Sequence, residues 1–316
     1  MTYSTGGLIE ATDYNGFVST TSGANVNATW NTAYGQTALS TVTTGGIVTA
    51  AQWATLNSTI SSMAAHQGTT ITSRSNPTAG TVISALANVG ADIGSCYTSR
   101  YNAASQGTQY TAWTGSASKT TGTGSGASAW TITFTDTVTF ANATAATNFF
   151  NAGGLVKVEF GKSSTGTSAD TEWNTFIPKL GYITFTSDAA SKVLVGTTYL
   201  GTNKIGGSGS PTTIATGTGF NQLTSSPVEI FKQFDTGAAY SSNYVRVTAA
   251  YSAGVLTLVT TWYDNGDPYG ANISGGTATT GISFGTAPAT VITYFPPETT
   301  NLTNTWGTPT VASTVA

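Results

Sequence analysis

The chain has 316 residues, of which 39% are hydrophobic and only 7% are charged, and its formal net charge is −3. Because ordinary soluble domains carry about 25% charged residues, the polar surface here must consist mainly of threonine, serine, asparagine and glycine. The aromatic content argues against a disordered chain. Ten lysines and arginines without a basic run do not supply the clustered phosphate contacts of a nucleic-acid-binding protein. We therefore expect no nucleic-acid partner.

The single cysteine, the first residues and the lengths of the apolar runs bear on the compartment of the protein. The single cysteine, Cys96, excludes an intrachain disulfide, and we expect it to be a small buried residue rather than a reactive thiol. Residues 1–5 do not show the basic and apolar segments of a signal peptide. No apolar run approaches the roughly 20 residues of a membrane span. The sequence thus predicts synthesis in a host cytoplasm and no membrane partner.

The N-terminal part, residues 1–114, is predicted to be a partly helical docking or oligomerisation region. Thr12 or Asp13 is a candidate cap for a short first helix. The clearest helix extends from Thr49 to Gly68, because Thr49 and Gln52 fit a capping box and Gly68 fits a helix stop. Its apolar stripe follows three- and four-residue steps and consists of Trp53, Leu56, Ile60 and Met63.

A second long helix is predicted from Thr81 toward Tyr101, and it would form an αα-hairpin with the first. The Ser/Thr/Gly-rich residues 115–126 then indicate a linker or an exposed loop. We expect this segment to separate the helical part from the β-rich part of the chain.

The stretch from Trp130 to Phe140 alternates large side chains with threonine, which is the period of a strand with one buried face. A second alternating run extends from Leu155 to Phe160. Between them we predict one or two helical turns, closed by a glycine pair. The positions expected to serve packing or assembly here are Phe149, Phe150, Gly153 and Gly154.

Short strand-like runs separated by turn residues follow, and they favour a sandwich or a related Greek-key sheet. They lie at 182–185, 192–195, 228–231, 244–249, 255–263, 282–284 and 291–295. One more helical segment is predicted from Asp170, as its cap, to Leu180, with Trp173, Phe176 and Ile177 pointing inward. The predicted fold is therefore mainly β, with a sandwich-like antiparallel domain over 127–297 and an extended C-terminal arm over 298–316. With the helical N-terminal region, the class is α+β overall.

Several of these segments together resemble a family of tailed-bacteriophage virion structural proteins. The resemblance rests on Gln52-Trp53 and His66-Gln67-Gly68 in the first long helix, on the run 149–154 before a strand, and on the run 242–247. Members of that family are described as virion, tail or tail-fibre-like proteins. The resemblance implies no enzymatic activity and no catalytic residues.

Residues that could carry chemistry have simpler structural interpretations. His66 is the only histidine, and at a helix end it is expected to cap the last carbonyls or to pack. The run 264–267 could offer oxygens to Ca²⁺, but it lacks the alternating acids of a calcium loop and is more typical of a turn. A glycosidase would need two carboxylates about 5 to 9 Å apart. The candidates, which show no such spacing in sequence, are Asp170, Glu172, Asp264, Asp267 and Glu298.

Aromatic residues near the end of the 255–263 run could stack on sugar rings or line a subunit interface. They are Trp262, Tyr263 and Tyr269. The leading hypothesis is a non-enzymatic structural subunit of a bacteriophage virion, tail- or fibre-associated, without a cofactor or metal site. Its partners would be other copies of itself and other virion proteins. Alternatives are a capsid decoration protein, a carbohydrate-binding host-receptor module that recognises surface glycans, and, last, a depolymerase.

Overall fold

The computed structural model describes residues 10–19, 23–78, 86–104, 113–115, 130–161, 168–237, 240–265 and 289–316. Helices in these ranges concentrate in the N-terminal part. They are Ala11–Val18 (α1), Val26–Trp30 (α2), Ala50–Gln67 (α3), Leu86–Thr98 (α4), Ala143–Asn151 (α5) and Ser168–Leu180 (α6).

The described strands begin near the middle of the chain. They are Trp113–Gly115 (β1), Trp130–Thr139 (β2), Leu155–Gly161 (β3), Tyr182–Phe185 (β4), Lys192–Leu194 (β5), Thr197–Tyr199 (β6), Thr202–Ile205 (β7), Thr213–Ile214 (β8), Val228–Phe234 (β9), Tyr244–Ser252 (β10), Val255–Asp264 (β11), Ala289–Phe295 (β12) and Thr310–Val315 (β13). The predicted strand at 282–284 lies outside the described residues. Of the predicted linker or loop at 115–126, Gly115 is the last residue of β1 and the rest is not described.

The strands form two large antiparallel sheets and one small hairpin. One sheet has five strands in the order β1-β12-β3-β4-β7, and the other has six in the order β13-β2-β11-β10-β9-β8. Ring contacts such as Phe160 with Phe231, whose centroids lie 6.1 Å apart, join the inner faces of the two sheets. The prediction of a mainly β, sandwich-like α+β fold is therefore confirmed.

The helix predicted from Thr49 has the expected ends. The Thr49 side chain accepts a hydrogen bond from the backbone of Gln52, and the Gln52 side chain accepts one from the backbone of Thr49. Gly68 ends α3 with a φ of 70°, a left-handed conformation that glycine adopts without steric cost. The capping-box prediction is confirmed.

Two predicted helix starts need correction, and a third is not tested. Glu10 caps α1, paired reciprocally with Asp13, so neither Thr12 nor Asp13 is the cap. The described part of the second long helix is Leu86–Thr98, and the predicted start at Thr81 lies outside the described residues. Helix α6 already begins at Ser168, which places the predicted cap inside its first turn.

The unit β2–α5–β3 forms as predicted. Asn142 caps α5 by accepting a hydrogen bond from the Ala145 N–H at 2.9 Å. The helix leads into Gly153, which has a φ of 90°. A Cβ built on Gly154 would lie 2.5 Å from the Phe149 ring, so a glycine is required for the return of the chain against this side chain.

One cluster of buried side chains includes residues of the N-terminal helices, α5, α6 and both large sheets. The segment after α2 also contacts the segment after β12 by hydrogen bonds. Gln36 donates to the Thr303 carbonyl at 2.8 Å and accepts from the Thr303 N–H at 2.9 Å. The two ends of the described chain are therefore packed against each other.

Candidate functional site

The residues predicted for packing or assembly lie inside this chain. The α3 stripe is buried, with exposed fractions of 1% for Trp53 and 0% for Leu56, Ile60 and Met63. Tyr14 and Phe17 of α1 contact the Trp53 ring edge-on, at centroid distances of 5.7 and 6.0 Å. The stripe therefore packs against residues of its own chain, which leaves it no exposed surface for a neighbouring copy.

The aromatic pair on α5 is also internal. Phe149 and Phe150 are fully buried, and Phe150 stacks on Phe220 with centroids 4.4 Å apart. The Phe140 ring lies 5.2 Å from Phe149 and 5.9 Å from Phe150. Such aromatic clusters add about 0.5–1.5 kcal/mol per ring pair beyond area burial, so this unit stabilises the monomer.

The single histidine forms a buried hydrogen bond with a carboxyl group. His66 Nδ1 lies 2.9 Å from Glu298 Oε1, and the side chains are 0% and 5% exposed. We assign the proton to Nδ1, because Glu298 accepts there and no partner is found for Nε2 among the described residues. His66 therefore joins α3 to the segment after β12. Of its two predicted roles, it packs, with its ring 5.1 Å from that of Tyr34, and does not cap the helix carbonyls.

Glu298 has several further donors. Its Oε2 accepts from the N–H groups of Thr300 and Asn301 at 2.5 and 3.0 Å, and its Oε1 accepts from Asn301 Nδ2 at 3.1 Å. Burial alone raises the pKa of this carboxyl, but the hydrogen bonds from His66, Asn301 and Thr300 outweigh it and lower the pKa to about 2. Glu298 is thus a buried carboxylate held ionised by its donors.

A second buried carboxyl lies between the sheets. Asp136 occupies an inward position of β2 and is 0% exposed. Thr290 Oγ1 of β12 donates to its Oδ2 at 2.9 Å, which ties one sheet to the other. Burial raises the pKa of Asp136, and the hydrogen bonds from Ser313 and Thr290 lower it only in part.

The end of β11 holds a third buried carboxylate. Asp264 is 0% exposed, and its Oδ2 accepts from Trp173 Nε1 at 2.8 Å and from Asn243 Nδ2 at 3.1 Å. Trp262 is also 0% exposed, and its ring stacks on Trp173 with centroids 5.4 Å apart. A surface role of Trp262 in glycan binding or in an interface is therefore wrong, because its ring is enclosed by its own chain.

Two carboxyl groups meet at one end of the six-stranded sheet. Glu172 of α6 hydrogen-bonds to Asp235, and burial together with this neighbour raises the pKa of Glu172. Lys179 Nζ lies 3.6 Å from Asp235 Oδ1. This direct contact differs from the arrangement in a glycosidase, whose two carboxyl groups stand about 5 to 9 Å apart.

Strand β13 forms one edge of the six-stranded sheet. Among the described residues it pairs only with β2, while β1 nearby pairs with β12. Thr133 and Ala316 exchange both backbone hydrogen bonds, at 2.8 and 2.9 Å. Because antiparallel pairs alternate, the backbone N–H and C=O groups of Val311 and Val315 point away from β2. No described strand hydrogen-bonds to these groups.

The outer face of the same sheet carries a row of aromatic residues. Phe234, Tyr244 and Tyr263 lie in register on β9, β10 and β11, and all three are partly exposed. Tyr244 and Tyr263 stack with centroids 4.9 Å apart, and Phe234 meets Tyr244 at 5.4 Å. Of the three aromatics singled out in sequence, only Tyr263 lies at this surface, since Tyr269 is outside the described residues.

Two cations lie beside this row. Lys232 and Arg246 face each other across β9 and β10. Lys232 Nζ lies 4.2 Å from the Tyr244 centroid and 4.7 Å from that of Phe234. We call these five residues the aromatic–cation row. The sequence shows alternation within each strand, but the pairing that brings Phe234 and Tyr244 together is set by turns and by the sheet order.

The N-terminal part also presents an apolar residue to solvent. Ile47 is 86% exposed in the loop before α3. Beside α3 lies a groove of about 500 Å³ lined in part by Trp30, Leu39 and Thr55. Ile47 does not line this groove, and single exposed apolar residues are common on monomers, so neither feature assigns a contact surface.

The described residues show neither a group of potential metal ligands nor a membrane-spanning helix, and no relative is found among known proteins. Over the described ranges, no three His, Cys, Asp or Glu side chains converge as a metal-binding group would require. The helices described here include none that is long and apolar enough to cross a bilayer. No protein-family model, no curated protein and no solved structure matches the chain.

Proposed function

We propose that the chain is a non-enzymatic structural subunit of a bacteriophage virion, associated with the tail or a fibre. The observation that carries the proposal is the edge at β13, to which no described strand other than β2 hydrogen-bonds. The resemblance of the sequence motifs to virion structural proteins is what suggests the particle. In this proposal the helical stripe stabilises the subunit, and the strand edge makes the contact between subunits.

Strand β13 lacks the features that protect edge strands. Residues Thr310–Val315 contain no charged side chain, no proline and no bulge relative to β2. Natural proteins place charged side chains, prolines or bulges on their edge strands when association must be avoided. A neutral, β-branched edge is therefore suited to strand addition from a neighbouring subunit.

The expected contact is weak for one copy and strong for many. A six-residue strand adds a few backbone hydrogen bonds, each with a net contribution of about 1 kcal/mol. The low charge of the chain, 7% of its residues, gives little electrostatic repulsion between subunits. Repetition of the contact around a particle would make attachment effectively permanent by avidity.

A pair of variants separates the edge from the side chain. Val315→Pro removes the N–H that points to the free edge, and Val315→Thr retains it with a side chain of similar shape. We expect wild type and Val315→Thr to form oligomers in sedimentation velocity at high protein concentration, and Val315→Pro to remain monomeric with similar thermal stability. Equal association of both variants, or a monomeric wild type at every concentration, would show that β13 is not the contact.

The assignment to a virion has its own test. Quantitative mass spectrometry of phage particles purified from an infected host should find this chain at a fixed copy number. If clean particles lack the chain, the virion assignment is wrong whatever the behaviour of the edge variants.

A further inference from the structure

We propose that the aromatic–cation row on the outer face of the six-stranded sheet binds an acidic saccharide, such as a polymer of uronic acids. This inference goes beyond the structural role and does not depend on it. It is carried by the contrast between the two cations of the row and the other basic residues of the described chain.

Most described lysines have an oxygen partner. Lys157, Lys179 and Lys192 lie 3.1, 3.6 and 3.3 Å from a carboxylate oxygen. Lys204 donates to a backbone carbonyl at 2.9 Å. In a chain with so few charges, basic groups are therefore generally compensated nearby.

The two cations of the row are different. Neither Lys232 nor Arg246 forms an ion pair with a described carboxylate. Glu229, on the same strand as Lys232, accepts a hydrogen bond from Thr213 Oγ1 at 2.6 Å. Arg246 Nε is buried and has no hydrogen-bond partner among the described residues. Like charges at facing positions of a sheet are destabilising, so this site favours an anion that binds both.

The rings indicate what kind of anion fits. Phe234, Tyr244 and Tyr263 provide partly exposed aromatic surface in register across three strands. A pyranose ring combines an apolar face, which packs on aromatic side chains, with hydroxyls that can bond to the tyrosine phenols. The carboxylate of a uronic acid could then accept hydrogen bonds from the Arg246 guanidinium.

A nucleic acid is a poorer match, although bases also stack on aromatic rings. Its affinity depends on several phosphate contacts, and this row offers two cations on a chain of net charge −3. A saccharide with one carboxylate per sugar needs no more than these two. We therefore commit to the saccharide and treat nucleic acid as an outcome of the test.

The test uses the full chain and isothermal titration calorimetry. The probes are oligogalacturonate of six sugars, neutral maltohexaose and a twelve-residue oligothymidylate, each at low and at raised salt. We expect binding of oligogalacturonate that weakens with salt, and little binding of the other two. No binding of oligogalacturonate, equal binding of maltohexaose, or preferred binding of oligothymidylate would each overturn the proposal.

Variants then locate the site. Arg246→Gln and Lys232→Gln should each weaken oligogalacturonate binding about tenfold or more, as expected for loss of a charged hydrogen-bond donor. Lys204→Gln, on the other sheet, makes the same change of net charge and should leave binding within about twofold. Tyr263→Leu tests whether the aromatic ring of Tyr263 contributes to oligogalacturonate binding. Equal weakening by Lys204→Gln would show non-specific attraction, and melting temperatures identify any variant that fails to fold.

Discussion

The junction between the N-terminal helices and the segment after β12 differs from the space between the two sheets, although each holds a buried carboxyl. At the junction, His66 and three further donors surround Glu298 and lower its pKa to about 2. Between the sheets, only hydroxyl groups reach Asp136, and burial raises its pKa. Burial by itself favours the neutral form of a carboxyl, and the number and kind of hydrogen-bond donors decide whether this effect is outweighed.

The largest expected effect is at the junction. Glu298→Ala leaves the His66 imidazole and the N–H groups of Thr300 and Asn301 without their acceptor. We expect a loss of about 3–5 kcal/mol in the free energy of unfolding, because buried partners left unpaired cost more than the contact gains. Urea unfolding followed by circular dichroism measures this loss.

A surface ion pair supplies the matched control. Glu159 pairs with Lys157 at 3.1 Å and its side chain is 41% exposed. Glu159→Ala should change the free energy of unfolding by less than about 1 kcal/mol. If both variants lose the same amount, the junction is no more important than a surface pair.

The next effect is a loss of folding stability at low pH. The folded pKa of Glu298, about 2, lies below its ordinary value of 4.5. The stability that this carboxylate supplies is therefore fully present above about pH 4.5 and is lost as the pH falls toward 2, with a total of about 3 kcal/mol. Unfolding measured from pH 6 to pH 2 should show a steeper loss in wild type than in Glu298→Gln, and parallel curves would contradict the assignment.

The smallest effect has the opposite sign. Because the folded pKa of Asp136 is raised, the charged form opposes folding, and stability falls as the pH rises through that pKa. Asp136→Asn keeps an acceptor for Thr290 but removes the charge. We expect it to stabilise the fold at pH 7 by about 1 kcal/mol and to lose this advantage near pH 3. A destabilised variant at pH 7 would show that the carboxylate is used there as an ion.

Local patterns predicted the elements well. The alternation from Trp130 to Phe140 gives β2, and the pair Thr49 and Gln52 gives the start of α3. Both signals depend on neighbours within four residues, so the folded environment does not have to be known. The same alternation did not predict the buried contact of Asp136 with Thr290, since a period of two shows which face of the strand a residue occupies but not which residues it contacts there.

Contacts between distant residues could not be predicted. His66 and Glu298 are separated by 232 residues, and no local sequence pattern around either residue indicates the other as its partner. The residues predicted to form an extended arm include β13, whose partner β2 is set by the sheet order. The aromatic–cation row has the same origin, because its members lie on three strands whose register no single segment encodes.

Strand β13 also has a consequence for how the molecule forms. Its partner β2 precedes it by about 175 residues, as the contact from Thr137 to Ala312 shows, and Gln36 meets Thr303 across 267 residues. During translation, early segments must wait for these late partners to leave the ribosome. Such long-range closure slows folding, so nascent chains of this protein should remain sensitive to proteases until residues 303–316 have left the ribosome.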